Sequence, residues 1–176
     1  MIDHFQAQVE PHLPAAYRTA ALILLDRDLA RDAVQEALLR AYRSRDRLKP
    51  GAPVWPWLHR LVVNESLRLA GRRRRQPLLL AEWPELPAGA PGPETTLLAR
   101  ETRDRIWQAL SGLSEAHRTV LVLRYYQELS EQEMAEVLGI SPGTVKSRLH
   151  HARRLLEAHL TRDEATPVLQ GRVDHV

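Results

Sequence analysis

A chain of 176 residues with 44% hydrophobic content and a formal charge of +3 can form one ordinary domain or two small ones, and twelve unevenly spread prolines favour two. The absence of cysteine excludes a disulfide framework and a thiolate zinc site, and no apolar run approaches the roughly 20 residues that cross a bilayer. The opening MIDHFQAQVE lacks the basic-then-apolar order of a secretory signal, so a soluble intracellular protein without membrane insertion is expected.

Residues 2–25 repeat Ile2, Phe5, Val9, Leu13, Tyr17, Ala20, Ala21 and Leu24 at helical spacing. Pro11 and Pro14 each remove a backbone donor, which predicts a break near Glu10. Asp26 and Asp28 are candidate N-caps for a second helix over about residues 29–45. Its inward face is Ala30, Ala33, Val34, Ala37, Leu38, Ala41 and Tyr42. Its outward face, with Arg31, Asp32, Gln35, Glu36 and Arg40, reads on pattern alone as solvated surface.

Residues 44–53, SRDRLKPGAP, form a loop. A third helix follows over about Val54–Arg73, with Trp55, Leu58, Leu61, Val62 and Leu69 on its apolar side. Arg72, Arg73, Arg74 and Arg75 at its end offset the negative pole of the helix. They form either a solvated tail or, together with Arg60 and Arg68, a phosphate-contacting surface.

Residues 76–99 hold five prolines and two glycines and no Lys or Arg, a composition that favours an extended, semi-rigid linker. Positive charge lies mainly before it. Residues 1–76 carry fourteen Lys and Arg against eight Asp and Glu, while residues 100–160 carry nine against eight. Such an asymmetry suggests a polyanionic partner for the ends and a different environment for the middle.

Helix resumes from Thr95, with Leu97, Leu98, Ile106, Trp107 and Leu110 on one pattern closed by Ser111 and Gly112. Ser114 caps the next helix. In LSEQEMAEVLGISPGTVKSRLHHARRLL, residues 129–156, Ser130 and Glu133 form a capping box, and Gly139 supplies a left-handed stop. Ser141 with Pro142 begins a second helix, completing a helix-turn-helix.

On a wheel of that second helix, Val145, Leu149, Ala152 and Leu156 share one side. Ser147, His150, His151 and Arg154 lie opposite, flanked by Thr144, Lys146 and Arg148, with Arg153 adjacent. The polar side suits a major groove, since its hydroxyl, imidazole and guanidinium groups can donate to base edges or phosphates. Incidental exposure of the two histidines is the alternative. As a zinc pair they are poorly placed, because neighbouring helix positions diverge by about 100°. Residues 161–176 show no clear periodicity and read as a disordered tail. No strand pattern, internal repeat, Gly-rich phosphate loop or nucleophile constellation appears, which argues for an all-α protein that is not an enzyme and needs no cofactor.

Three blocks in one order resemble the extracytoplasmic-function (ECF) class of bacterial RNA polymerase sigma factors: DLARDAVQEALLRAY at Asp28–Tyr42, PWLHRLVVNESLRLAGRRRR at Pro56–Arg75, and Leu113–Leu156. The resemblance implies two small helical domains, residues 1–76 and 100–160, joined by the Pro-rich linker 77–99. Asp32, Gln35, Glu36 and Arg40 would then dock core RNA polymerase. The loop from Arg45 to Ala52 would capture a flipped base, and Arg60, Asn64, Arg68 and Arg72 to Arg75 would follow the −10 promoter element. Thr144, Lys146, Ser147, Arg148, His150, His151, Arg153 and Arg154 would face the −35 element. The linker would thread a polymerase channel, and an anti-sigma regulator is expected. A cytoplasmic location follows from the same likeness. Pro11, Pro14 and the tail depart from the family pattern. A free-standing helix-turn-helix regulator, and an interaction module without DNA binding, are the rival readings.

Overall fold

The computed structural model describes residues 4–49, 51–73 and 105–164. Among them the backbone is helical or in turns, with no strand. The first helical stretch is interrupted where the prolines require it: α1 spans His4–Val9, a 3-10 turn spans Glu10–His12, and α2 spans Leu13–Leu24. Leu25 ends α2 in the left-handed region at φ 52°, an uncommon conformation for a branched residue. Asp26, rather than Asp28, caps α3, accepting from the backbone N–H groups of Asp28 and Leu29 through Oδ1 at 2.9 Å each. This cap starts α3 at Arg27 and the helix ends at Arg43, two residues early at each end relative to the sequence expectation. α4 spans Val54–Arg73 as expected.

The first core forms where α2, α3 and α4 meet. Its buried residues include Ala16, Ala20, Ala30, Ala33, Ala37 and Ala41 opposite Leu58 and Val62. Such alanines allow close backbone approach, while half-buried Phe5, Trp55 and Trp57 fill the margins. Trp57 packs edge-on to Phe5 at 6.4 Å, in keeping with a role in the core. Tyr42 does not belong to the inward face: it is 48% exposed, with the Arg45 guanidinium over its ring at 4.2 Å and Phe5 meeting it edge-on.

The second half begins, among the described residues, with α5 at 105–111, followed by α6 at Glu115–Leu121. Ser114 caps α6 by accepting from the His117 N–H. Ile106 stands 44% exposed, off the apolar pattern, whereas Leu110 is buried. A π-turn over Val122–Tyr126 follows α6, closed by Gln127 N–H donating to the Val122 carbonyl at 3.1 Å. Helix α7 spans Glu131–Leu138 and α8 spans Pro142–Glu164. The chain therefore continues helically past Leu160, where loss of periodicity had suggested a tail. The tail expectation for 165–176, the linker 77–99 and the start of the helix from Thr95 lie outside the described residues.

The second core includes residues of the first half. Ile23, Leu25 and Val63 are buried in one cluster with Leu110, Leu113, Val120, Leu123, Met134, Val145 and Leu149. Arg118 of α6 is buried there and donates from Nε to the Ile23 carbonyl at 2.7 Å and from Nη1 to the Leu110 carbonyl at 3.2 Å. Gln127 donates to Thr19 Oγ1 of α2 at 2.5 Å. Thus α4 buries two sides: Leu58 and Val62 in the first core, Val63 in the second. Its remaining side faces outward. No helix among the described residues is long and apolar enough to cross a membrane.

Candidate nucleic-acid interface

Capping and turn chemistry fix the orientation of α8. Ser130 accepts from Glu133 N–H at 3.3 Å, and the Glu133 carboxylate accepts from the Ser130 hydroxyl at 2.6 Å and backbone N–H at 2.8 Å. The Ser130 hydroxyl, and then its N–H, hold the Glu133 carboxyl below its usual range. Gly139 ends α7 at φ 65°, and Ser141 Oγ accepts from Thr144 N–H at 3.1 Å to begin α8. These are the turn and caps expected from the sequence.

Burial along α8 follows the wheel. Val145, Leu149 and Ala152 are fully buried, and Leu156 is half-buried. Lys146, Ser147, His150, His151, Arg153 and Arg154 are exposed. Thr144 and Arg148 are half-buried at the edges of that arc, with the Thr144 hydroxyl 2.8 Å from Ser141 Oγ. Arg153 is tied back to the π-turn: its Nε donates to the Tyr125 hydroxyl at 2.7 Å, and its guanidinium lies 5.6 Å from that ring's centre. The His151 ring lies 6.2 Å from that of His117, so one of the two histidines has an aromatic neighbour in α6. The result is one continuous polar and basic arc on a helix anchored by its opposite side.

The basic residues of α4 fall on a single stripe. Arg60, Asn64, Arg68 and Arg72 recur every four residues, so each lies about 40° round from the last. Arg60, Asn64 and Arg72 are exposed and Arg68 is half-buried. Arg73 ends the helix with its side chain outside the described set, and Arg74 and Arg75 lie beyond the described residues.

On α3, Asp32, Gln35 and Glu36 are exposed together, joined by Leu39 at 47% exposure, which the pattern had not singled out. Phe5, Val9, Leu13, Leu38 and Tyr42 line an open groove of about 730 Å³ beside Gln35. Arg40 separates from this group. Its Nη1 lies 2.6 Å from Oε1 of Glu65 on α4, while Arg68 Nε donates to Glu65 Oε2 at 2.6 Å. Glu65 is only 1% exposed. The sequence reading missed it, because a single carboxylate on a basic helix carries no visible sign of burial.

An all-helical protein that presents a helix-turn-helix and a second basic helix face belongs to the class of sequence-directed DNA-binding transcription proteins. Family models place it further: residues 8–76 match sigma-70 region 2, and residues 103–156 match sigma-70 region 4. The chain is 30% identical over 167 residues to the ECF RNA polymerase sigma factor SigW of Bacillus subtilis, covering 90% of this chain and 89% of that protein. It is 31% identical over 158 residues to an ECF sigma-E factor of Haemophilus influenzae, covering 82% and 84%. Among solved structures, the sigma factor RpoE of Bartonella quintana, in complex with the anti-sigma factor NepR, shares the fold at a TM-score of 0.66 and 24% identity, over 90% of this chain and 98% of that one. CnrH in complex with the cytosolic domain of CnrY superposes at a TM-score of 0.64 and 26% identity, over 90% of this chain and 88% of that one. The chain belongs to the ECF RNA polymerase sigma factors of the sigma-70 family.

Proposed function

We propose that this sigma factor divides promoter recognition between its two exposed basic faces and docks core RNA polymerase through α3. The observation that carries the reading is the α8 arc: six exposed polar or basic side chains opposite three fully buried apolar ones, on a helix set by two caps and a glycine turn. Lys146, Ser147, His150, His151 and Arg154 face the −35 element, with Thr144, Arg148 and Arg153 at its edges. Arg60, Asn64, Arg68 and Arg72 follow the −10 element, and Arg73, Arg74 and Arg75 continue that charge along the chain. Asp32, Gln35 and Glu36 form the polymerase-facing surface, with Leu39 supplying apolar area between them.

The functional units we assign are residues 1–76, the connecting segment 77–99, which carries no positive charge and threads the polymerase, and residues 100–160. An anti-sigma protein is a further partner, since the related RpoE of Bartonella quintana is bound by the anti-sigma factor NepR. The protein acts in the cytoplasm, as a binding subunit that brings no catalytic group of its own.

Transcription from a promoter library with core polymerase tests this. Lys146→Ala is expected to weaken binding across sequences and lower the salt slope by about 1, whereas Ser147→Ala or His150→Ala changes which −35 sequences are chosen, by roughly 1–3 kcal/mol at a contacted base. A protein that binds duplex promoters tightly without polymerase, and adds nothing to transcription with it, would refute the reading.

A further inference from the structure

Glu65 is the most deeply buried charged side chain among the described residues, and its neighbours lie on two helices assigned different tasks. It projects from α4 one position after Asn64. Its Oε2 accepts a 2.6 Å hydrogen bond from Arg68 Nε, one turn on along the same helix. Its Oε1 is 2.6 Å from Arg40 Nη1 of α3, a close ionic contact without hydrogen-bond alignment. The carboxylate is 1% exposed, while the side chains of Arg68 and Arg40 are 31% and 51% exposed.

Each guanidinium carries five N–H donors in a planar fork, and each is held by the carboxylate through only one nitrogen. The rest of each fork stays available at the surface. Bound to the two oxygens of one carboxylate, the two arginines are held at one site, and the cluster retains one net positive charge. Burial of the anion matters here: of the three charged groups it is the two guanidiniums, and not the Glu65 carboxylate, that reach the surface.

We propose that Glu65 is a positioning residue that sets Arg68 and Arg40 side by side as a paired clamp for the phosphodiester backbone of the promoter strand lying along α4. This rests on the reading of α4 as the −10-facing helix, and it moves Arg40 from the polymerase-facing surface to the DNA-facing one. Two arginines fixed in advance lose less rotamer freedom when they meet phosphates, so removing the anchor weakens strand binding about tenfold without deleting a phosphate contact's charge.

The test uses the full chain assembled with core polymerase, on a promoter pre-melted over the −10 element, titrated at several salt concentrations. Glu65→Gln is expected to leave holoenzyme formation unchanged and to weaken promoter binding about tenfold. Arg68→Ala lowers the salt slope by about 0.7–0.9, the contribution of one phosphate. The double variant should lose less than the sum of the two single variants, since both act through one clamp. A structural staple predicts otherwise: Glu65→Gln would lower only the melting temperature, with promoter affinity unchanged, and that result overturns the proposal. Should Glu65→Gln not fold, half-exposed Arg40 decides it. Loss of promoter affinity in Arg40→Ala, retained in Arg40→Lys with polymerase binding intact, supports the clamp; weakened polymerase binding with normal promoter affinity overturns it. Arg60→Ala and Asn64→Ala in the same assay separate the two levels. If these weaken strand binding while the Glu65 and Arg40 variants do not, the clamp alone fails; if none does, the assignment of α4 fails.

Discussion

His59 follows Trp55 by one turn on α4, its ring 5.0 Å from that indole, and is 3% exposed with no hydrogen-bond partner on Nε2. Burial pushes its pKa down from the usual 6.5 to about 4. An unfolded chain therefore binds this proton at a pH where the folded chain does not. Stability is fully present above about pH 6.5, falls as pH drops through that value, and stops falling near pH 4. The loss over the interval reaches at most about 3 kcal/mol. Chemical denaturation at pH 7 and pH 4.5 should show it, and His59→Phe should flatten the difference. Gly139 is a second residue with a defined cost. An added Cβ would meet nothing within 4 Å, so Gly139→Ala carries only the left-handed penalty of about 1–2 kcal/mol, measurable as a lower denaturation midpoint. Both the glycine and the Ser130–Glu133 box were legible in the sequence because caps are local. The burial of His59 and Glu65 was not legible, since it depends on α2 and α3 closing over α4.

Among whole elements, those governed by short-range chemistry match expectation: the break at Pro11 and Pro14, the Asp26 cap, and the glycine turn before α8. Departures arise where distant packing intervenes. Tyr42 and Ile106 keep apolar spacing yet face outward, because alanines of α3 already fill the first core and Leu110 the second. The π-turn at Val122–Tyr126 adds a residue to one helical turn and leaves Tyr125 60% exposed, where it receives Arg153. Periodicity read at 3.6 residues per turn cannot register such an insertion. Tyr125→Phe tests its role: it removes the acceptor for Arg153 Nε while keeping the ring. Fold and stability should change by no more than about 1 kcal/mol, while affinity for −35 duplexes shifts if Arg153 needs that tether to meet DNA. Protein melting and duplex binding with the holoenzyme separate the two effects.

At the scale of the molecule, the two halves share a core that no stretch of sequence announces, since Ile23 and Arg118 meet across 95 residues. Ile23→Ala should cost about 2–5 kcal/mol and lower one common transition rather than the earlier of two, as calorimetry would show. A body of this length packed in one piece is about 40 Å across. The −35 and −10 positions of a duplex are 25 base pairs apart by their numbering, or about 85 Å at 3.4 Å per step. One packed body cannot touch both. The 21 residues between Arg73 and Thr95, where the sequence pattern has helix resume, reach up to about 70 Å when extended, so the chain's reach permits the halves to part. The Arg118 bridge and the shared core around it are the contacts that such a parting would have to break.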